Sequence, residues 1–279
     1  MKVTVLMVVY NGSTFLEECV KSVLSQTFTD FEFLIVDDGS EDSTCDIIER
    51  FKDSRIRLIH HAHDYIASLN LGLHEAHGQY IARMDSDDLM YPNRLEKQVV
   101  LLDSYPEVAA CMSWAQSFGE METSMQSRQV GYIHDVLPEL LEGNFVVHPT
   151  VMLRKSFLKE NSLTYKDYPY AEDYKLWVDM AKVGARFFVI PKKLLRYRVS
   201  ELQVSQLHQC EQYNTTVKIK NEVLMELLNV DGYVEREQVQ TIYKQLESMN
   251  LRGNLSSSAV RHIIYVMSKE IRMHVIHKK

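Results

Sequence analysis

The sequence predicts an α/β fold: a mostly parallel sheet flanked by helices on both faces, followed by a C-terminal helical appendage. Three observations carry this. Short continuous apolar runs alternate with longer amphipathic ones from residue 3 to about 113, and strands covered on both faces by crossover helices read as such unbroken runs. Turn residues and carboxylates fall at the ends of those runs, at 36–40 and 84–88, on the edge where parallel sheets bind ligands. From about residue 206 the strand pattern gives way to amphipathic helical stretches. A chain of 279 residues is long for one domain and short for two full ones, so the expected division is an α/β unit at 1–205 and a helical region at 206–279.

The elements follow in order. Residues 3–9 form a first strand, closed by Tyr10-Asn11-Gly12. The opening apolar run could be mistaken for a signal peptide, but Glu17 and Glu18 follow it and no small-residue cleavage pattern does. Thr14 with Glu17 reads as a capping box for a helix burying Phe15, Leu16, Cys19, Val20, Val23 and Leu24. The unit repeats as a strand at 31–36 and a helix to 51, a strand at 56–60 and a helix at 65–74, and a strand at 80–83. A helix at 93–102 follows, with Pro92 as its first residue, and then a strand at 108–113. Residues 117–128 suit a mobile loop or short hairpin, 144–154 a strand, 172–182 a helix ended by Gly184, and 186–190 and 194–199 two further strands. Three helices then carry apolar faces at Val217, Val223 and Leu227, at Val239, Ile242 and Leu246, and at Val260, Ile263, Met267 and Ile271.

Composition excludes several classes. A net charge of −7 and a pI near 5.9 argue against nucleic-acid binding, which wants a basic face. No stretch reaches the roughly 18 uncharged apolar residues of a membrane span, so the expected location is cytoplasmic. Cys19, Cys45, Cys111 and Cys210 show no paired spacing and read as small core fillers without chemistry. His60, His61, His63, His74 and His77 have some metal-like spacing but straddle a loop and a helix face, and read as solvated surface. There is no G-x-G-x-x-G after the first strand and no P-loop motif, which disfavours dinucleotide dehydrogenases and P-loop kinases.

Three constellations carry chemistry. Met84-Asp85-Ser86-Asp87-Asp88 crowds carboxylates behind an apolar strand. With period-two alternation Asp85 and Asp87 face one side, an oxygen-only claw suited to Mn²⁺ or Mg²⁺ held jointly with substrate phosphates; the competing explanation is a solvated acidic turn before a helix. An EF-hand fails because Leu89 and Met90 stand where a ligand and a glycine are required. Asp37-Asp38-Gly39-Ser40 ends the second strand, where a carboxylate can accept from a base N–H or ribose hydroxyl, or simply cap a turn. Tyr10 ends the first strand and either stacks on a base or packs in the core. All three fall on one edge of one sheet.

Taken in order, these segments resemble the inverting GT-A-fold glycosyltransferases of family 2, the group that builds bacterial polysaccharides. The resemblance covers roughly residues 1–205. It rests on Val8-Val9-Tyr10-Asn11, Ser22-Val23-Leu24-Ser25-Gln26-Thr27, Val36-Asp37-Asp38-Gly39-Ser40, Asn70, Ala76-His77-Gly78-Gln79-Tyr80-Ile81-Ala82, Asp85-Ser86-Asp87-Asp88 with Pro92-Asn93-Arg94-Leu95, and Ala171-Glu172-Asp173-Tyr174-Lys175-Leu176-Trp177. It implies that Tyr10 flanks the base of a nucleotide diphosphate sugar, most simply a UDP-sugar, that Asp38 accepts the base N–H, that Asp85 contacts ribose or metal, and that Asp87 is the principal ligand of Mn²⁺ or Mg²⁺. Asp173 is implied as catalytic base, with His148, Glu172 and Trp177 on the acceptor side. An ordinary structural histidine and an ordinary acidic helix start compete for His148 and for Glu172-Asp173.

The implied acceptor is a glycan or a lipid-linked glycan in cell-surface polysaccharide synthesis. A basic C-terminal end at Arg272, His274, His277, Lys278 and Lys279 either packs with a solvated tail or touches anionic lipid at the inner membrane face. Two departures stand out: Leu69 precedes Asn70 where relatives often carry Arg, leaving Arg83 as a poorer substitute, and Ser200 stands where many carry His. A nucleotidyltransferase would need a Gly-rich loop with Arg and Lys that Asn11-Gly12-Ser13-Thr14 does not supply. A non-catalytic nucleotide-sugar-binding scaffold would keep the nucleotide carboxylates and need no base.

Overall fold

β-branched and aliphatic residues dominate the first strand, β1 (Val3–Val9), and all seven of its residues are buried, because both faces of the sheet are covered. The computed structural model describes residues 1–200 and 207–228. Strands β2 (Phe31–Asp37), β3 (Ile56–His60) and β4 (Tyr80–Met84) lie parallel to β1 in the order β3-β2-β1-β4. Helices α1 (Leu16–Leu24), α2 (Thr44–Arg50) and α3 (Tyr65–Glu75) make the crossovers. β5 (Leu89–Met90) is a two-residue strand ahead of α4 (Arg94–Ser104).

The sheet continues through β6 (Val108–Gly119), β7 (Ser124–Met125), β8 (Gly131–Ile133), β9 (Met152–Arg154) and β10 (Arg186–Val199). β9 pairs antiparallel with both β4 and β6, so β6 and its parallel partner β10 run in the direction of β1. The sheet is therefore mostly parallel, with the short strands β5, β7, β8 and β9 reversed. Helices α5 (Val136–Glu142), α6 (Lys155–Glu160), α7 (Glu172–Lys182) and α8 (Gln209–Leu228) complete the described chain.

Alternation along β1 divides the core. Leu6 and Val8 face a cluster with α3, α5, α7 and α8, whereas Val5, Met7 and Val9 face one with α1 and α4. Ile219 and Val223 of α8 are buried in the first cluster, and Tyr168 Oη donates to Glu222 Oε2 at 2.7 Å. The first helix of the expected appendage thus shares the core of the α/β unit; the two later ones and the basic end lie outside the described residues. Among the described residues no helix is long and apolar enough to cross a membrane.

Several local expectations change. The Thr14–Glu17 capping box does not form: α1 starts one residue after Phe15 without a side-chain cap, and Glu17 pairs instead with Lys21 one turn on. Pro92 precedes the N-cap Asn93 rather than opening the helix. The expected strand at 144–154 is one only at its end; Pro149 lies in a 3-10 turn, His148–Thr150, where its missing N–H costs nothing. The two strands expected after Gly184 are one, β10, with register shifts between Ile190 and Leu195 that absorb the irregular middle. Residues 117–128 resolve as a hairpin, with Ala115 and Gln116 opposite Met125 and Ser124.

β4 can approach β1 closely because Gly78 has no side chain: a Cβ there would lie 2.3 Å from Thr4 N and 2.6 Å from Val3 C. Gly78→Ala is expected to force the strands apart and to lower stability by about 1–3 kcal/mol, read as a shifted denaturant midpoint at unchanged slope; an unshifted midpoint would show that the contact is not rigid.

Candidate active site

The register sets Val9 opposite Asp37 and Met7 opposite Met84, so the residues following β1, β2 and β4 emerge side by side at one sheet edge. Gly39, at φ +82°, makes the turn after β2. Asp38 is buried; its Oδ1 accepts from Asp64 N at 2.9 Å and from Ser68 Oγ at 2.5 Å, and Oδ2 lies 3.1 Å from His63 Nδ1. Tyr10 is exposed, its ring 4.1 Å from that of His63. An aromatic pair, not Tyr10 alone, covers the expected base site, and an incoming base N–H would share Oδ2 with His63.

Strand β4 stops at Met84 and the acidic segment turns at Ser86 and Asp87, so the period-two argument for Asp85 and Asp87 fails; the turn groups them instead. Burial, then the charge of Asp85, pushes the Asp87 carboxyl up to about 6. Burial, then Asp85 and Asp87, pushes Asp88 well above its ordinary value. Asp88 Oδ1 accepts from Arg198 N at 2.8 Å, whereas its buried Oδ2 has no hydrogen-bond partner among the described residues. An orphaned carboxylate oxygen within an all-oxygen set of crowded acids fits a hard divalent cation, Mg²⁺ or Mn²⁺.

The counter-charges come from the fold. Arg83 is buried within β4, pairs with Asp85 Oδ1 at 2.7 Å, donates to the Tyr65 hydroxyl at 3.1 Å and to the Met84 carbonyl, and leaves its Nε unpartnered. Burial alone would lower its basicity, but Asp85 and the surrounding hydroxyls hold it above the usual value. Arg94 braces the strand from behind: its Nη2 donates to Arg83 O at 2.8 Å and its Nε to Gln98 Oε1 at 3.0 Å. Arg198, two residues before the position where a histidine was missing, donates from Nε to Asp87 O at 2.8 Å, lies 3.9 Å above the Phe15 ring and pairs with Glu18.

Opposite stand Glu172 and Asp173 in the first turn of α7. Burial, then Asp173, raises Glu172; burial raises Asp173, partly offset by a bond from Tyr174 N at 2.6 Å and by the Trp177 indole N–H, which lies beside the carboxylate without closing a hydrogen bond of normal geometry. Arg83 stabilises both carboxylates, and Asp85 opposes their ionisation. Trp177, expected on the acceptor side, is fully buried in the core, so it acts on the site through Asp173 and not by lining a surface. His148 Nε2 lies 2.8 Å from Tyr165 Oη, and its ring meets Trp177 edge-on at 5.7 Å. Burial, then Arg83, drives its pKa well below 6.5, so it is neutral at pH 7. Asn70 is a staple, donating to Tyr165 O at 2.9 Å and accepting from Tyr165 N at 2.8 Å.

Helix α8 holds this side. Tyr170, at φ +62°, occupies a strained backbone position just before Ala171, the N-cap of α7. His208 stacks on its ring at 4.2 Å and Gln212 Nε2 donates to its carbonyl at 2.8 Å. Sequence reasoning missed His63, Tyr65, Tyr165 and the His208–Gln212 clamp because each reaches the site from a distant element. Only Arg83, a buried cation inside an apolar strand, left a readable signal.

The Glycosyl transferase family 2 model matches residues 4–162. The chain belongs to glycosyltransferase family 2. An uncharacterized glycosyltransferase of Haemophilus influenzae is 33% identical over 82% of this chain and 75% of its own length. Of a Rickettsia felis glycosyltransferase, 34% identical, the chain spans only 33% of the length. In fold it resembles S. aureus TarS 1–349 in complex with UDP-GlcNAc (TM-score 0.69, 20% identity, 85% of this chain and 69% of that one). It also resembles the Pyrobaculum calidifontis mannosyltransferase PcManGT in complex with GDP-Man and Mn²⁺ (TM-score 0.59, 14% identity, 96% and 86%). The family 2 match runs from β1 to the end of α6 and stops before α7, so Glu172 and Asp173 enter through their geometry.

Because Asp87 and Asp88 titrate higher folded than unfolded, ionising them costs stability, which is greatest below their unfolded values and falls as pH rises through about 6 for Asp87. Asp87→Asn is therefore expected to raise the Tm of the metal-free protein at pH 7 by about 2–4 °C. Mn²⁺ should raise the wild-type Tm and leave that of the variant nearly unchanged; equal Mn²⁺ shifts would remove Asp87 from the cation site.

Proposed function

We propose that this glycosyltransferase is inverting and metal-dependent, and moves a sugar from a UDP-sugar to a hydroxyl of a glycan or lipid-linked acceptor in cell-surface polysaccharide synthesis. It would work in the cytoplasm or against the inner face of the membrane. The observation that carries the reading is that the acidic turn and the Glu172-Asp173 pair converge on the same buried cation, Arg83, which pairs with Asp85 and acts on Asp87, Glu172 and Asp173. One group suits the metal and diphosphate; the other suits proton removal. The UDP complexes of a fold relative and the Mn²⁺ of another support the choice of nucleotide and metal class.

In this reading Tyr10 and His63 flank the base, Asp38 fixes its N–H, Asp85 meets ribose or metal, and Asp87 with Asp88 holds Mn²⁺ or Mg²⁺. When bound, the cation neutralises the charge that develops on the departing diphosphate. Asp173 takes the proton of the acceptor hydroxyl as that oxygen attacks the anomeric carbon from the face opposite the diphosphate, and the bond to the diphosphate breaks. Burial and then the charge of Asp173 raise Glu172, whereas the Tyr174 and Trp177 N–H groups favour the charge on Asp173. Neutral His148, bonded to Tyr165, serves as a polar wall on the acceptor side rather than as a second base.

Asp173→Asn is expected to bind donor nearly as wild type and to lose transfer by about 100-fold or more. Retained transfer would remove Asp173 as the base. The base acts ionised and its pKa is raised, so kcat should fall as pH drops through a midpoint clearly above the ordinary carboxylate value of about 4; a midpoint at or below that value would place the essential base elsewhere.

A further inference from the structure

We propose that Asp37, Cys45 and His60 form a second cation site, for a borderline-soft ion of the zinc class, at the carboxyl edge of β2 and β3. The backbone brings the first two ligands together: Asp37 and His60 are direct cross-strand partners in the parallel β2–β3 pair, and His60 Nδ1 lies 3.2 Å from Asp37 Oδ2. The first turn of α2 supplies the third, with Cys45 Sγ 4.0 Å from His60 Nδ1. The three ligand atoms lie within 4.8 Å of one another.

Tetrahedral zinc with its usual bond lengths separates such ligand atoms by about 3.4–3.6 Å, so the set closes around an ion with side-chain shifts of about an ångström or less. Sulfur, imidazole and carboxylate together select zinc-class ions over Mg²⁺ or Mn²⁺, which prefer oxygen alone. Three protein ligands leave a fourth position for water. The half-exposed Cys45 and exposed His60 face give an ion access, while buried Asp37 is fixed by Ser40 N at 3.2 Å.

The local field favours a cation. The carboxylates of Asp37, Glu49 and Asp46 all act on the Cys45 thiol and make this edge electronegative. Without an ion the thiol keeps its proton; a zinc-class ion displaces that proton and binds the thiolate. This reassigns Cys45 from core filler and His60 from solvated surface. An ion there would tie the end of β2 to that of β3 and to α2, one residue from Asp38.

Cobalt(II) reports the site in the purified, reduced full chain, because a cobalt–thiolate bond absorbs in the near ultraviolet whereas cobalt on carboxylates does not. The expected result is a thiolate-to-cobalt band that Zn²⁺ competes away, that vanishes in Cys45→Ser, that needs about tenfold or more cobalt in His60→Ala, and that persists in Asp87→Asn. Absence of the band, or a band that survives Cys45→Ser and disappears in Cys210→Ser, would overturn the proposal. The readout involves no sugar transfer, so it is independent of the proposed function.

Discussion

The site depends on one electrostatic constraint: two wholly buried cations, Arg83 and Arg94, stand among carboxylates that would otherwise repel one another at the end of a parallel sheet, and Arg83 forms the ion pair with them. Asp85 takes its ion pair, and Glu172 and Asp173 feel its field. Two buried positive charges cannot neutralise five carboxylates, so burial and mutual repulsion raise Asp87, Asp88, Glu172 and Asp173 together. A protein keeps such a surplus where a further cation and an ionisable base are used, which is why the arrangement supports metal-assisted transfer better than a passive scaffold, for which the raised Asp173 has no use.

Much of the fold serves to hold that surplus in place. Arg94 and Gln98, both buried, clamp the backbone of β4 and the 3-10 turn at Thr150 from behind. Arg198 fastens the acidic turn to the end of β10, its backbone N–H donating to Asp88 Oδ1 and its Nε to the Asp87 carbonyl. Helix α8 secures the strained Tyr170 ahead of the carboxylates of α7, so the region expected as a separate appendage reaches the chemistry through its first helix.

The parallel half of the sheet was legible because strands buried on both faces are largely apolar; β1 is broken only by Thr4, and β2 only by Glu32, which accepts from Thr4, and by its terminal Asp37. The acidic turn and the Asp38 turn were legible because charge at the end of such a strand is conspicuous. What failed were inferences that local rules make without knowing the competitors. Glu17 found Lys21 instead of Thr14, the strand ended before alternation could orient Asp85 and Asp87, and α5 was not foreseen because Pro138, tolerated in its first turn, breaks the sequence signal. The histidines at 60, 63, 74 and 77 are largely solvated, as the sequence suggested, and His60, His63 and His77 each also meet a buried carboxylate that local sequence could not show. Long-range convergence of that kind has no local signature.

Calorimetric titration of the full chain with nucleotide diphosphates, with and without Mn²⁺ and alongside Asp87→Ala, tests the central claim most directly. The account predicts that UDP binds in the presence of Mn²⁺, weakly without it, and not measurably to the variant. Tight UDP binding without metal, or binding that survives Asp87→Ala, would contradict the assignment of the acidic turn as the metal and diphosphate site.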